Sequence, residues 1–223
     1  MDIQSDILGT LGNTPLVALR RYHPEGALLA AKIEYFNPGA SVKDRIGIEM
    51  IEAAEREGKL KPGMTVVEPT SGNTGLGLAL ACILRGYKLV CTATTKISKE
   101  KIGLLEAHGA RVVICPVDVA ADDPRSYYKV AERIRDEEGA YLPNQYHNAA
   151  NPQTHYKTTG PEICARPTAR LPTGSPASAP AGRSPAFRAT SRSRIRRSGR
   201  SASIRWAAST PTGTSMAICR RRK

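Results

Sequence analysis

No acidic residue and no valine occur after Glu162. From Cys164 onward the chain has thirteen arginines and one lysine, and the other nineteen basic residues face twenty acidic ones. The formal net charge of +13 therefore belongs to the last quarter of the chain, and the body is near neutral. A basic binding face is not the theme of that body. No two of the five cysteines form a CxxC pair, and their number is odd. The four histidines lack metal-ligand spacing, so no metal site is expected. No segment approaches the roughly 20 apolar residues needed to span a bilayer. The opening "MDIQSDILGT" has neither a basic start nor a long apolar run, so no signal peptide is expected. A reducing cytoplasm is the expected setting. No internal repeat is present.

What the chain does have, up to about Ile163, is an alternation of strand-like and helix-like segments. Gly9, Gly12, Asn13 and Pro15 mark a turn before "LVAL". "ALLAAKIEY" predicts a strand ended by "NPG". Ser41 is placed to cap a helix through "VKDRIGIEMIEAAEREG", whose Ile46, Met50, Ala53 and Ala54 share a face and which Gly58 ends. "TVVEP" predicts a short buried strand; "TSGNTG" follows it, and then the apolar helix "LGLALACILRG". Further on, "KLVCTA" and "RVVICPV" predict strands, while "SKEKIGLLEAHG" and "PRSYYKVAERIRDEEG" predict helices. This spacing implies a parallel sheet covered on both faces. Ligands of such sheets sit at the carboxyl ends of the strands.

Three stretches carry candidate chemistry. "EPTSGNTGLGLALA" puts a polar turn after a strand and at a helix start, where backbone N–H groups and the positive end of the dipole converge. The hydroxyls of Thr70, Ser71 and Thr74 add donors suited to a carboxylate or phosphate; a plain capped turn uses the same residue types. "NPGASVKDRIG" places Lys43 at a helix entry whose dipole disfavours a cation. Desolvation there would lower the pKa of its amine and suit it to Schiff-base chemistry, although most lysines are solvated surface residues. "PNQYHNAANPQTHYKTTGPEI" is a polar loop holding Gln145, His147 and Asn148, and it also fits an ordinary surface connection. Neither His147 nor His155 has a paired acid at motif spacing, so neither is assigned a catalytic role.

"LGNTPLVAL", "NPGASVKDRIG", "KPGMTVVEPTSGNTGLGLALA" and "NQYHNAANPQTHYKTTGPEI" occur in this order. Together they resemble the cysteine synthase and cystathionine β-synthase family of pyridoxal-phosphate enzymes, over about residues 3 to 163. The segment from Asp123 to Tyr156 leans toward the cystathionine β-synthase branch. The resemblance implies an α/β fold of type II, with three-layer αβα parallel sheets in two domains. The smaller domain would run from about 47 to 150 within a 1–163 body, and 164–223 would be a disordered tail. The implied cofactor is pyridoxal 5′-phosphate. Lys43 would form its Schiff base, Asn73 would bond the pyridine 3′-oxygen, and Thr70, Ser71, Thr74 and Gln145 would hold the substrate α-carboxylate. The implied activity is that of a cysteine-biosynthetic lyase or transferase. Lys43 removes the α-proton of serine or O-acetylserine, the β-substituent leaves, and sulfide or homocysteine adds. The resemblance also implies a homodimer in the intact family member, a small-molecule amino acid with a sulfur nucleophile as partners, and no nucleic acid or membrane.

The family's pattern would continue after "TTGPEI" with a tryptophan and later a "GTGGT" loop that cradles the cofactor phosphate. This chain has Cys164 there and no such loop. A one-base shift of reading frame accounts for the difference. "SPASAPAGRSPAFRAT" can be encoded, with G/C-leaning third bases, so that the neighbouring frame reads "AGVGTGGTISGVSRY". "SRSRIRRSGRSASIRWAAST" permits "LKEQNPAIRTIGVDPLGSIY" in the same way. The shift falls between about Glu162 and Ser175. The arginines then reflect G/C-rich DNA and no selected charge, and the chain as written is expected to be inactive or nearly so. A nucleic-acid-binding protein using "SRSRIRRSGR" as a basic arm is the competing class, although aromatic interleaving is absent. A threonine dehydratase-like enzyme and a catalytically dead scaffold are further alternatives.

Overall fold

A computed structural model describes residues 3–19, 30–165, 203–207 and 216–220. The chain divides into two compact units, Lys43–Ala150 and a second made of Met1–Val42 with Asn151–Lys223.

The Lys43–Ala150 unit is built on a parallel sheet of β3 (Thr65–Pro69), β4 (Lys88–Thr94) and β5 (Ala110–Cys115), in that order. Val67 pairs with Val90, and Cys91 with Val112. The strands are short and β-branched, and β3 and β4 are buried along nearly their whole length, as covered parallel strands require. Four helices accompany them: α1 (Lys43–Arg56), α2 (Asn73–Arg85), α3 (Lys99–Ala107) and α4 (Tyr127–Glu138). Val130, Ala131 and Ile134 of α4 form a core cluster with Val67, Val90, Cys115 and Ala140. Ile46, Ile48, Met50, Ile51 and Ala54 are buried apolar side chains of α1. Ser126 caps α4 by accepting from the Lys129 N–H, and Gly139 ends it in the left-handed region at φ 60°.

The other unit pairs β1 (Leu16–Ala18) antiparallel with β2 (Ala30–Ile33). It also contains most of α5 (Ala150–Lys157) and all of α6 (Thr159–Ala165). Lys32, fully buried, donates to the Thr14 carbonyl at 3.0 Å and to Glu162 Oε2 at 2.5 Å. The Thr14 hydroxyl donates to Glu34 Oε1 at 2.6 Å, so the buried cation lies within a bonded polar network.

Three differences from the sequence expectations have physical causes. The helix after "TSGNTG" begins at Asn73, so Asn73 and Thr74 belong to its first turn. The stretch treated as one polar loop holds α5 and α6. Asn151, Thr154 and Thr159 are buried there, and polar residues on the inward side leave no apolar periodicity to read. In the tail, for which no regular structure is expected, β6 (Ser203–Ala207) and β7 (Met216–Arg220) extend the β1–β2 sheet, with Ala31 opposite Ile218. Apolar residues concentrate in "SIRWA" and "MAICR", which favours pairing. The rest of 166–223, including "SPASAPAGRSPAFRAT" and its frame reading, lies outside the described residues.

Candidate active site at the carboxyl end of strand β3

Strand β3 ends at Pro69, and the chain turns through Thr70, Ser71 and Gly72 into α2. The Thr70 N–H donates to the Thr92 carbonyl at 2.9 Å, which ties the turn to β4. The Thr70 hydroxyl oxygen accepts from the Gly72 N–H at 3.2 Å. Ser71 Oγ accepts from the Thr94 N–H, also at 3.2 Å. Each hydroxyl keeps its own hydrogen to donate. The helix dipole adds a partial positive charge at the same end.

Thr74 and Gln145, 71 residues apart, meet here: the Thr74 hydroxyl donates to Gln145 Oε1 at 2.6 Å, and both side chains are buried. The Thr74 hydroxyl hydrogen is thus directed at Gln145 Oε1.

Gln145 is held in turn by Glu68, the residue before the end of β3. Asn144 N–H donates to Glu68 Oε2 at 2.8 Å, and Gln145 N–H donates to Oε1 at 3.0 Å. Burial pushes the Glu68 carboxyl up to about 7, against the opposing pull of these two N–H bonds. Glu68 was missed at the sequence level. The available signal was a lone acid inside the apolar strand "TVVEP", because a buried carboxyl needs partners.

Lys43 is the first residue of α1, and burial lowers its pKa from the ordinary lysine value. α1 and α2 pack backbone to backbone. A methyl built on Gly47 would lie 2.6 Å from the Gly77 carbonyl carbon, and one on Gly77 would lie 2.8 Å from the Lys43 carbonyl oxygen. Asn73 is one helical turn before Gly77 and on the same face of α2. The first turns of the two helices, one starting with Lys43 and the other with Asn73, are thus brought close by a pair of glycines.

All six sequence-assigned residues — Lys43, Thr70, Ser71, Asn73, Thr74 and Gln145 — fall in one unit, and the last five gather at the β3–α2 turn or bond to it. Cys82 and Cys91 are buried with thiols pushed up to about 12 by that burial, which leaves no thiolate nucleophile at either position near neutral pH. Among the described residues no helix is long and apolar enough to cross a membrane. Among them, too, no three His, Cys, Asp or Glu side chains are grouped to hold a metal ion.

A covered parallel sheet with a polar strand-to-helix turn and a desolvated lysine at a neighbouring helix start defines a class of α/β enzyme whose ligand lies at the strand ends. The model of the pyridoxal-phosphate dependent enzyme family matches residues 7–216, and the chain belongs to that family. It is 48% identical over 165 residues to cystathionine beta-synthase of Rattus norvegicus, covering 72% of this chain and 29% of the relative. It is also 48% identical over 159 residues to cysteine synthase of Staphylococcus aureus, covering 71% of this chain and 50% of the relative. The chain therefore spans half or less of the length of these curated relatives. Among solved structures, O-ureido-L-serine synthase is similar at a TM-score of 0.73 and 36% identity, over 78% of this chain and 54% of that one. A hydrogen sulfide-producing enzyme from Fusobacterium nucleatum is similar at a TM-score of 0.78 and 31% identity, over 91% and 65%. The fold is accordingly that of the type II pyridoxal-phosphate enzymes, and pyridoxal phosphate is the family's cofactor.

Proposed function

We propose that residues 3–163 carry the site of a pyridoxal-phosphate-dependent β-replacement enzyme acting on serine or O-acetylserine with sulfide or a thiol. The observation that supports this most directly is Lys43, a lysine whose ammonium is disfavoured by burial at the start of α1. A neutral amine is the form that can attack an aldehyde. The donor set fits the group as well, with a carboxamide at Asn73 for a ring oxygen and hydroxyls at Thr70 and Ser71 beside it.

When bound, pyridoxal phosphate supplies an aldehyde that condenses with amines and a ring that accepts negative charge from the substrate α-carbon. Lys43 would hold the cofactor through its Nζ and, once displaced, carry the α-proton on the same atom. Thr70, Ser71 and the Gln145 amide would hold the substrate α-carboxylate, with Thr74 fixing the Gln145 side chain. Thr70 and Ser71 are anchored to Gly72 and Thr94, so their oxygens are ordered before any ligand arrives.

The chain as written would be inactive or nearly so, because the sequence expected to cradle the cofactor phosphate is absent from its frame. Each lost hydrogen bond to a charged phosphate is worth about 1.5–3 kcal/mol. In the restored frame we place the protein in the cytoplasm as a homodimer with amino-acid and sulfur substrates.

The test is borohydride reduction in the presence of pyridoxal phosphate, followed by peptide mapping. Both the written chain and one with the frame restored are used. The restored chain should carry the label at Lys43 and turn over serine or O-acetylserine with sulfide or homocysteine. The written chain should show little label and no turnover. A label confined to other lysines in both would overturn the assignment.

A further inference from the structure

We propose that Glu68 is a positioning residue for the candidate carboxylate site: by holding two successive backbone N–H groups, it sets Gln145 against Thr74. This rests on the functional reading above for the meaning of the site, but the geometry is independent of it.

Glu68 is completely buried, in a strand where its neighbours Val66 and Val67 are also completely buried. An ionisable group placed there loses its hydration and needs bonded partners. It makes no ion pair among the described residues; its partners are the amides of Asn144 and Gln145, at 2.8 and 3.0 Å. Two consecutive amides converge on one carboxyl because Asn144 lies in the left-handed region, at φ 52°. This arrangement is a backbone nest, a concavity of N–H groups that captures an anion. Here the captured group comes from the protein itself.

The consequence reaches the site through one further bond. With its backbone fixed to β3 by Glu68, Gln145 presents Oε1 to the Thr74 hydroxyl at 2.6 Å. The path runs from β3 through the 144–145 backbone and the Gln145 side chain to the first turn of α2. Replacing one Glu68 oxygen by an NH2 group sets a donor against one of the two amides and loosens the turn that carries Gln145. The sheet itself does not depend on this clamp, because the β3–β4 ladder runs from Thr65–Lys88 to Pro69–Thr92 through backbone pairing.

The experiment uses the full chain and needs no cofactor. Amide hydrogen exchange is followed at Asn144, Gln145 and the β4 residues Leu89 and Val90, in the unaltered chain and in Glu68→Gln. The Gln145 side-chain NH2 resonances are recorded alongside, with Thr74→Val for comparison. In the unaltered chain the 144 and 145 amides should be protected like those of β4 although they lie in a loop. In Glu68→Gln they should exchange at least about tenfold faster while Leu89 and Val90 are unchanged, and the Gln145 side-chain resonances should move as they do in Thr74→Val. Exchange at 144 and 145 at open-loop rates in the unaltered chain overturns the proposal, even if the variant fails to fold. Equal acceleration in β4, which would show a merely structural role, overturns it too. Failure of Lys43 labelling with these exchange results intact would overturn only the functional reading.

Discussion

Gly77 of α2 presses on the backbone of Lys43: an ideal Cβ at Gly77 would stand 2.8 Å from the Lys43 carbonyl oxygen and 2.9 Å from the Asp44 Cα. Both neighbours are backbone atoms at the start of a helix, which cannot rotate away as a side-chain tip can. Alanine at a mid-helix glycine would by propensity add about 0.5–1 kcal/mol of stability. Overpacking costs about 1–3 kcal/mol and is the larger effect here. Gly77→Ala is expected to lower stability and shift the first turn of α1. Thermal unfolding against the unaltered chain checks this, and a neutral or stabilised variant would show that the helices separate at little cost.

Burial also gives Lys43 an altered titration. Its folded-state pKa lies below the ordinary 10.5, so the unfolded chain binds that proton more tightly. Stability attributable to this group rises with pH toward 10.5 and is reduced below the folded value. Lys59 is shifted the other way by its hydrogen bond to Glu57. Acylation of the full chain across a pH series, read by mass spectrometry, should therefore show Lys43 reaching its half-maximal reactivity at lower pH than Lys59. The reverse order would remove the chemical reason for choosing Lys43.

Local sequence signals recover the parallel unit better than the site within it. "TVVEP", "KLVCTA" and "RVVICPV" are short β-branched runs, and the strands form there with shifts of only one or two residues. Ser126 and Gly139 bracket α4 as capping chemistry predicts. The resemblance assigns Thr74 and Gln145 to one group, but their mutual bond joins residues 71 apart and is a product of the tertiary fold. Glu68 is not singled out by its motif because a lone acid in "TVVEP" fits a strand-end carboxylate in water as well as a buried one with partners. Helices α5 and α6 escaped because Asn151, Thr154 and Thr159 face inward, so that hydrophobic periodicity is lost where polar burial replaces it.

The Glu68 carboxyl gives a second pH dependence, of opposite sign to that of most carboxylates. Its folded-state value is raised to about 7 from 4.5, chiefly by burial, so the folded chain binds the proton more tightly than the unfolded chain does. The stability it contributes is complete below about 4.5 and is lost as pH rises through about 7. Urea denaturation of the unaltered chain and of Glu68→Gln, at a series of pH values across that window, isolates the group because the other titrations cancel. The unaltered chain should lose stability relative to the variant as pH rises. A constant difference would mean that the carboxyl titrates in its ordinary range.

The tail is tested in the DNA. If residues after about Glu162 are read one base out of register, the coding sequence between codons 160 and 175 contains a single-base insertion or deletion relative to an intact frame. Restoring it should replace "SPASAPAGRSPAFRAT" by a glycine-rich segment close to "AGVGTGGTISGVSRY". Backbone N–H groups of such a loop can surround a phosphate, because closely spaced glycines let the main chain approach the anion. The expected outcome is at least a hundredfold gain in pyridoxal-phosphate affinity for the restored chain, about 2.8 kcal/mol, read by cofactor absorbance on titration. Equal affinity in the two chains would show that the Lys43–Ala150 unit binds the cofactor without that loop. A coding sequence with no frame change would return the thirteen arginines to the protein as selected residues, and salt-dependent nucleic-acid binding would then be the property to measure.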